Sequence, residues 1–415
     1  MSMRITDYSR FISARSAARQ PAAIRALVPF TKLPGMISLG AGAPNAETFP
    51  FASMEFTLKN GEKVKVDDEV FKEALNYTPT PGLGPILEWL RELQLREHKP
   101  PMEEFDIAIG TGSQDLIAKA LEAVINPGDN LLIENPSYTG IISFLKSQPV
   151  NLIDVSTDGR GIIPTSLEII LSTWTDEKTR PRVLYTISTA GNPSGITPHM
   201  DRKKQVYEIC RKYNVLILED DPYYYLQFEL PRIASYFSID EDARVLRFDS
   251  MSKILAAGMR LGWVTGPKPL VERINLHTMT TNLQPSTIPQ VMTYALLEKW
   301  GQEGFQEHVH TVSQFYRKKM DAFVQHAEKY LSGLAEWTVP EAGMFVWIKL
   351  NGIDDTNELI TKEARDKKVL AVPGTSFTPQ LVKSPYVRVS YSNVTEEQME
   401  EALKRLAECV REASQ

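Results

Sequence analysis

The middle of the chain, from about residue 105 to residue 270, alternates short apolar runs with amphipathic segments. Runs such as NLLIENP, RVLYTIS and NVLILEDD are typical of buried strands, whereas SQDLIAKALEAVI and DRKKQVYEICRKY carry apolar residues at helical spacing. This alternation predicts an α/β fold with a mostly parallel central sheet flanked by helices. Ligands bind such sheets at the carboxyl ends of the strands, so we expect the chemistry in the polar residues that follow each apolar run.

The last third of the chain has a different pattern. A helical periodicity extends over roughly residues 287 to 330, and Gly301 and Gly304 predict a break within it. FVWIKL and YVRVSYS predict two more strands, and a closing helix is expected from Glu396 to Glu412. These elements predict a smaller α+β domain to which the N-terminal segment also contributes. The domains expected are 1–50 (N-terminal arm and small-domain segment), 51–305 (large α/β domain) and 306–415 (C-terminal small domain).

Composition and charge narrow the class of protein. The chain has 415 residues, 42% of them hydrophobic and 24% charged, so it is long enough for two domains with substantial cores. Its net charge of -6 comes without a long basic run, which argues against nucleic acid and anionic membranes as partners. No apolar stretch approaches the roughly 18 to 20 residues that span a membrane. Cys210 and Cys409 are far apart, so neither a disulfide framework nor a metal site is expected.

The first 25 residues bear on the compartment. They hold five arginines against one acid, Asp7, together with several Ser and Ala. Such a composition occurs both in transit peptides and in ordinary amphipathic helices, and the helix is the interpretation we favour. The scarcity of cysteine and the lack of a secretory apolar core predict a cytoplasmic protein, with a mitochondrial location as the alternative.

A lysine follows a strand-like run in the segment VLRFDSMSKILAAGMRLGWVTG. The amine of Lys253 can form a Schiff base with an aldehyde cofactor if nearby positive charge or desolvation lowers its pKa. Arg260 would supply that charge, and with Ser250 and Ser252 it would also form a cup for a phosphate dianion. The alternative is a solvated lysine and arginine in a loop rich in Ser and Gly.

Acidic residues end the strand-like run in VLILEDDPYYYLQF. A carboxylate facing the ring nitrogen of a pyridoxal cofactor keeps that nitrogen protonated, and Asp220 is the residue selected for this role. Tyr223, three residues later, can donate a hydrogen bond to the ring oxygen of the cofactor. An acidic turn that binds a cation or solvent is the alternative.

Two further turns follow predicted strands. In YTISTAGNPSGIT, Asn192 precedes a proline, which favours an extended backbone from which its amide would reach the cofactor ring oxygen or a substrate carboxylate. In IAIGTGSQDL, Ser113 and Gln114 begin a helix whose N-terminal N–H groups would bind a phosphate. The alternatives are an ordinary turn around Asn192 and simple capping of the helix by Ser113.

Two more residues are candidates for contacts with a ring or a substrate. Tyr138 in NPSYTG follows a strand and can stack on a planar cofactor or substrate, although an ordinary half-buried tyrosine fits equally well. Arg388 lies in the alternating strand SPYVRVSYS, where an inward guanidinium would bind an α-carboxylate through two parallel hydrogen bonds. A surface arginine is the alternative.

The order and spacing of these motifs resemble the fold-type I aminotransferases, which use pyridoxal 5'-phosphate. Asn192 and Asp220 are 28 residues apart, Asp220 and Tyr223 are 3 apart, Asp220 and Lys253 are 33 apart, and Lys253 and Arg260 are 7 apart. Further segments, among them ISLGAGAPN, YTPTPG, EDDPYYYLQF and GMFVWIK, are similar to the kynurenine/α-aminoadipate aminotransferase branch, and the resemblance covers nearly the entire chain. The turn AGNPSG departs from the Gln-Asn-Pro-Thr-Gly common in the family, which leaves open the contact made by the residue before Asn192.

The resemblance implies a homodimer in which each active site uses both chains. Tyr77 would contact the phosphate of the neighbour's cofactor, and Arg388 would bind the substrate α-carboxylate. Gly42 and Tyr138 would line the substrate pocket. Arg25 would lie on a mobile N-terminal helix and meet a distal carboxylate or an aromatic side chain of the substrate.

The resemblance also implies the reaction. Lys253 would hold the cofactor as a Schiff base and, with Asp220 and Tyr223, carry out ping-pong transamination. The donor would be an L-amino acid such as kynurenine, 2-aminoadipate or an aromatic amino acid, and the acceptor would be 2-oxoglutarate. The alternatives are another pyridoxal-phosphate reaction, β-elimination or decarboxylation, and a non-catalytic regulator, which would usually carry an additional DNA-binding domain.

Overall fold

The computed structural model describes residues 4–27, 30, 33–40, 42–102 and 104–413, without the side chains of residues 25 and 26. The chain divides into two compact units, each made of two segments. The first unit comprises Met1–Asn126 and Phe237–His308, and the second comprises Pro127–Tyr236 and Val309–Gln415. The predicted domains 1–50, 51–305 and 306–415 divide the chain differently and stay a prediction.

Strands and helices alternate along the described residues. The strands are β1 (Glu55–Thr57), β2 (Lys63–Lys65), β3 (Asp106–Gly110), β4 (Asn130–Asn135), β5 (Asn151–Asp158), β6 (Gly161–Ile162), β7 (Val183–Ile187), β8 (Leu216–Asp220), β9 (Val245–Ser250), β10 (Gly262–Gly266), β11 (Ala335–Trp337), β12 (Phe345–Leu350), β13 (Val372–Pro373) and β14 (Tyr386–Ser390). The α-helices are α1 (Ala14–Ala17), α2 (Ala23–Ala26), α3 (Asp68–Ala74), α4 (Gly84–His98), α5 (Ser113–Val124), α6 (Thr139–Lys146), α7 (Pro164–Thr173), α8 (Met200–Lys212), α9 (Lys268–Thr281), α10 (Thr287–Leu331) and α11 (Glu396–Ala413). Short 3₁₀ turns include Tyr224–Leu226, Ala257–Met259 and Gly374–Phe377, and Leu359–Ala364 is π-helical.

In the first unit, β10 lies between β3 and β9 and pairs antiparallel with both, so β3 and β9 run in the same direction. Every residue of β9 and β10 is buried, as expected for strands that are covered on both faces. Helix α5 packs against α9 and β10 through its apolar face. A Cβ added to Gly262 would lie 2.5 Å from the backbone nitrogen of Ser113, so the N-terminus of α5 is held close to the start of β10.

In the second unit, β4 pairs in parallel with β5 and β7, and β7 pairs in parallel with β8. β7 and β8 are buried at every residue, which explains their continuous apolar runs in the sequence. A separate antiparallel sheet has the strand order β11-β12-β14-β13. Helix α11 is amphipathic and buries residues that include Met399, Leu403 and Leu406. The predicted parallel strands and the predicted α+β region near the C-terminus are therefore both present.

Two details differ from the sequence prediction, and a third agrees with it. The antiparallel insertion of β10 was not predicted, because an apolar run carries no information about strand direction. Helix α10 is interrupted at Gly301, where φ is 63°, so the break predicted within this helix is confirmed. The single amphipathic helix expected in the first 25 residues is wrong: this region holds the two four-residue helices α1 and α2. Pro21 lies between them and lacks the N–H that a continuous helix needs.

None of the helices in the described part of the chain combines the length and the hydropathy needed to cross a bilayer.

Candidate active site

A glycine and an arginine meet at the start of α5 in the first unit. Gly112 is the N-cap of this helix, with φ 83°, and Ser113 is the first helical residue. The alternative in which the Ser113 side chain caps the helix is therefore wrong, since the N-cap is Gly112 and no side chain caps it. The backbone N–H groups of the first turn, which includes Ser113 and Gln114, are available for an anion in the way helix N-termini usually provide.

The guanidinium of Arg260 lies over Gly112. Its Nη2 donates a hydrogen bond of 3.3 Å to the carbonyl of Thr111, and its Nη1 lies 3.4 Å from Oγ of Ser252. A Cβ added to Gly112 would collide with Nη2, so only glycine leaves room for the arginine here. We call Gly112, Ser113, Ser252 and Arg260 the glycine–arginine cluster. A helix N-terminus, a guanidinium and two serines together form a cradle that fits a phosphate group.

Lys253 lies in the turn that directly follows β9 and is half-buried. The end of β9 is fixed by Asp249, which accepts hydrogen bonds from Nη2 of Arg247 at 2.7 Å and from Nε at 3.0 Å. Both of these side chains are buried. The backbone N–H of Ser252 donates to Oγ of Ser250 at 3.2 Å, which tightens the turn. The end of one buried strand and the loop that follows it thus carry the predicted Ser250, Ser252, Lys253 and Arg260.

A second cluster lies in the second unit, at the carboxyl ends of β7 and β8. In the parallel register Tyr185 is opposite Leu218 and Ile187 is opposite Asp220. The hydroxyl of Tyr185 donates to Oδ2 of Asp220 at 2.7 Å, and both residues are buried. We call Tyr185, Asn192, Asp220, Tyr223 and Arg388 the tyrosine–arginine cluster. It brings together the four residues Asn192, Asp220, Tyr223 and Arg388 that were predicted for the ring and the carboxylate.

Arg388 projects from β14 into this cluster. Its Nη1 donates to Oδ1 of Asn192 at 2.9 Å, and its guanidinium carbon lies 4.3 Å from the ring centre of Phe345 and 5.1 Å from that of Phe377. Burial lowers the pKa of Arg388, an effect that the nearby Tyr223 and Tyr138 oppose, but an arginine remains charged at any physiological pH. Its Nε is buried and has no hydrogen-bond partner among the described residues, which leaves a donor for an anion. The alternative of a plain surface arginine is wrong.

Tyr223 supplies a neutral phenol. Burial, and next the charge of Asp220, raise the pKa of Tyr223 well above its ordinary value, so the hydroxyl keeps its proton and remains a donor. Asn192 bonds to this hydroxyl, and the ring packs edge-on against Phe345 with 5.9 Å between ring centres. Tyr138 precedes α6, is half-buried, and is close enough to influence the pKa of both Tyr223 and Arg388.

Three other predicted residues are described but are not members of the two clusters, and the side chain of a fourth lies outside the described residues. Gln114 is half-buried in the first turn of α5. Tyr77 is 59% exposed, and Gly42 is exposed with open space around its Cα. The side chain of Arg25 lies outside the described residues, so its predicted role stays a prediction.

Three features of the site were not predicted from the sequence: the contact of Gly112 with Arg260, the hydrogen bond from Tyr185 to Asp220, and the aromatic rings beside Arg388. Gly112 lies in the GTGSQ segment, and a glycine directly before a predicted helix is a sequence signal for a close backbone approach. Tyr185, Phe345 and Phe377 carry no local signal, because their roles depend on strand register and on contacts between distant segments.

Comparison with known proteins identifies the family of this fold. The family model for aminotransferase class I and II matches residues 34–406. The chain belongs to this family. It is 44% identical over 423 residues to "Kynurenine/alpha-aminoadipate aminotransferase, mitochondrial" of Bos taurus, with 98% of this chain and 100% of the relative covered. Among solved structures, aminotransferase Aro8 from Candida albicans has a TM-score of 0.91 at 26% identity, with 99% of each chain covered. The Pyrococcus horikoshii kynurenine aminotransferase, in complex with PMP, KYN and KYA, has a TM-score of 0.78 at 27% identity, again with 99% of each chain covered.

These similarities confirm three predictions made from the motifs: the α/β aminotransferase fold, the use of pyridoxal 5'-phosphate, and the kynurenine/α-aminoadipate branch. The assignment of individual residues to cofactor or substrate stays a prediction, and so do the homodimer and the compartment.

Proposed function

We propose that this aminotransferase takes the amino group of an L-amino acid with a large side chain, of the kynurenine or 2-aminoadipate type, and transfers it to 2-oxoglutarate. The observation that carries the proposal is the hydrogen bond between Arg388 and Asn192 in the same cluster as Asp220. A guanidinium with a buried donor to spare suits an α-carboxylate, which amino acids and 2-oxo acids both carry. The name of the Bos taurus relative supports the donor class.

Charge and geometry assign the cofactor to residues of both clusters. Pyridoxal 5'-phosphate supplies an aldehyde and an electron-accepting ring. The glycine–arginine cluster suits its phosphate because helix N–H groups, a guanidinium and serine hydroxyls all favour a dianion. Asp220 suits the protonated ring nitrogen. The remaining cofactor contacts assigned are Asn192 and Tyr223 to the ring oxygen, Tyr138 to the ring face, and Gln114 and Ser250 to the phosphate.

Proton transfer is assigned to Nζ of Lys253, which is also the point of covalent attachment of the cofactor. Once the substrate has displaced it from the cofactor, this amine removes the proton from the substrate α-carbon and later returns it. A well-positioned acid–base group of this kind contributes about 10²- to 10⁴-fold to the rate. Arg388 and Asn192 orient the substrate by its carboxylate, so that the same α-hydrogen is presented in each turnover.

The oligomer we propose is a homodimer. The N-terminal part of the first unit exposes a series of large apolar side chains, with Ile37 at 86% and Leu39 at 98% exposure. Exposed apolar side chains that are grouped in one segment suit a protein interface. The other exposed apolar residues of this segment are Ile24, Leu27, Phe30, Leu33, Met36 and Phe51. In such a dimer Tyr77, which is 59% exposed, is the residue assigned to the cofactor phosphate of the neighbouring subunit.

A donor panel with 2-oxoglutarate tests the activity. We expect kynurenine or 2-aminoadipate to give the highest kcat/KM among donors that also include tyrosine, methionine and leucine. Borohydride reduction of the holoenzyme, followed by peptide mass mapping, should label Lys253, and Lys253→Ala should lose both the label and turnover. A label elsewhere contradicts the assignment. Stoichiometric conversion of the cofactor to its pyridoxamine form by the donor alone separates transamination from elimination and decarboxylation.

Light scattering tests the dimer. We expect the mass of two chains for the wild type, and a monomer for the double variant Ile37→Asp/Leu39→Asp. Leu370→Asp is the matched control, because Leu370 is 85% exposed but lies in the second unit. A wild-type monomer, or equal dissociation of the two variants, contradicts an interface at the N-terminal segment.

A further inference from the structure

We propose that Tyr185 is a positioning residue of this aminotransferase, which holds the Asp220 carboxylate ionised and oriented for the cofactor ring through a hydrogen bond to Oδ2. The inference rests on the proposed role of Asp220. It adds a residue that acts on the cofactor indirectly, through the carboxylate assigned to the ring nitrogen.

The geometry of the pair is set by two parallel strands. β7 and β8 are in register with Ile187 opposite Asp220, so Tyr185 lies two residues back on the same face of the sheet. From there its ring extends along the strand, and the phenol oxygen reaches Oδ2 of Asp220 at 2.7 Å. That distance is typical of a short hydrogen bond between a hydroxyl and a carboxylate.

The surroundings make this hydrogen bond strong. Tyr185 is 0% exposed and Asp220 is 4% exposed, so water does not compete for either group. Burial, and then the charge of Asp220, raise the pKa of Tyr185 well above its ordinary value, which keeps the phenol a donor at every pH the protein would meet. The other ionisable groups that act on Tyr185 are Glu134 and Tyr138.

The hydrogen bond from Tyr185 affects the protonation of both Asp220 and the cofactor's ring nitrogen. A donor to Oδ2 stabilises the ionised form of Asp220, and removing that donor raises the pKa of the carboxyl group. A more basic Asp220 draws the shared proton away from the ring nitrogen, which weakens the electron-accepting character of the ring. Without the phenol, Asp220 can also rotate, so we expect the cofactor to bind less tightly.

Tyr185→Phe removes the hydroxyl and keeps the ring. Tyr236→Phe is the matched control, because Tyr236 is 1% exposed, lies in the same unit, and has Glu134, Cys210, Glu219 and Arg202 rather than Asp220 as its ionisable neighbours. Both variants lose one buried phenol oxygen. A loss of stability that comes merely from an altered core should therefore appear in both.

Three measurements on holoenzyme and apoenzyme test the proposal. The first is the dissociation constant of pyridoxal phosphate from apoenzyme, expected to rise about fivefold or more in Tyr185→Phe. The second is the 15N chemical shift of ring-labelled cofactor, expected to move toward that of a neutral pyridine. The third is kcat with its pH profile, expected to fall about tenfold with little change in the KM of the donor. That factor corresponds to about 1.4 kcal/mol, close to the lower end of the contribution of a hydrogen bond to a charged group.

The outcomes distinguish a failed role of Tyr185 from a failed role of Asp220. If Tyr185→Phe matches Tyr236→Phe within twofold in all three measurements, Tyr185 is structural only and the inference is wrong. If Asp220→Asn leaves the 15N shift and kcat at wild-type values, the assignment of Asp220 itself fails. A shifted 15N signal in Asp220→Asn and Tyr185→Phe, with a normal signal in Tyr236→Phe, supports both.

Discussion

The two clusters are built in different ways. In the tyrosine–arginine cluster, side chains bond to one another inside the protein: Tyr185 to Asp220 at 2.7 Å and Arg388 to Asn192 at 2.9 Å. In the glycine–arginine cluster, Arg260 is exposed, and its hydrogen bonds are long: 3.3 Å to the carbonyls of Thr111 and Ala257, and 3.4 Å to Ser252. The first arrangement is fixed before any ligand arrives, whereas the second is a set of donors around a space for an anion.

This difference suits the two kinds of group that a pyridoxal cofactor presents. A ring whose electronic state must be controlled needs oriented partners in a water-poor environment, since preorganised groups need not rearrange during the reaction. A phosphate is a stable dianion that any array of N–H donors will hold. We therefore expect substitutions in the tyrosine–arginine cluster to act mainly on turnover, and substitutions in the glycine–arginine cluster to act mainly on cofactor affinity.

Asp220→Asn should have the largest effect. The amide keeps the shape but cannot hold a proton on the ring nitrogen, so we expect kcat to fall by about 10²-fold, at the upper end of what a hydrogen bond to a charged group contributes. Steady-state kinetics at saturating cofactor measures this loss. Asp221→Asn is the control, because Asp221 is the neighbouring buried carboxylate. Equal losses in the two variants would mean that the effect comes from folding rather than from the ring.

Arg388→Lys should come next. Lysine keeps the charge but lacks the planar fork that bonds a carboxylate at two points, so kcat/KM for the donor should fall about 10- to 100-fold. An amine donor without an α-carboxylate provides the control reaction, because its slow turnover should be the same in wild type and variant. If the variant slows both donors equally, Arg388 supports the cluster but does not bind the carboxylate.

Gly112→Ala tests the glycine–arginine cluster. The added Cβ would collide with Nη2 of Arg260, and alanine is strained at φ 83°, so the guanidinium must move. We expect cofactor affinity to fall about tenfold, the equivalent of one charge-assisted hydrogen bond, with kcat restored at saturating cofactor. Equilibrium titration of apoenzyme measures the affinity. Gly258→Ala is the control, because a Cβ there meets no atom within 4 Å. A lasting loss of kcat at saturation would contradict the division of roles between the clusters.

The sequence was sufficient for the parts of the fold that depend on local pattern. The apolar runs located β3, β4, β7, β8, β12 and β14. The polar residues at the ends of two of these runs placed Asn192 after β7 and Asp220 at the end of β8. Strand direction and register were not accessible, because the period of two in a strand is the same whichever neighbour it pairs with. For this reason β10 was not recognised as antiparallel, and the phenol of Tyr185 was not connected to Asp220.

The candidate site was likewise predictable where the motifs themselves carry the signal, and not where it depends on contacts formed by folding. Spacing between motifs was enough to select Lys253, Asn192, Asp220 and Arg388, since their order resembles that of a known family. The aromatic rings of Phe345 and Phe377 come from β12 and from the turn at Gly374–Phe377, segments that contact Arg388 only after folding. The N-terminal helix was the clearest error. Arginine-rich composition suggested one amphipathic helix, but Pro21 and the short segments around it do not continue a single helix.

Glu134→Gln should have the smallest effect on catalysis and should change stability instead. Glu134 lies on β4 and accepts a hydrogen bond from Thr186, whose side chain is on the opposite face of β7 from Tyr185. Burial raises the pKa of Glu134 to about 7. Because the folded carboxyl holds its proton above the ordinary pKa of 4.5, stability from this group is complete below pH 4.5 and is lost as the pH rises through 7.

Glutamine cannot ionise, so the variant should lose this pH dependence. We expect Tm of the apoenzyme to exceed that of the wild type at pH 8, by the equivalent of about 1 to 3 kcal/mol, and to differ little at pH 5. Thermal unfolding at the two pH values measures the difference. Glu134 lies on the opposite face of the sheet from Tyr185 and acts on it through charge rather than through a hydrogen bond. We therefore expect kcat to stay within twofold of wild type and the 15N shift of the bound cofactor to be unchanged. A shifted 15N signal would mean that Glu134 and Thr186 act as one network with the tyrosine–arginine cluster, and that the groups controlling the cofactor ring extend to the other face of the sheet.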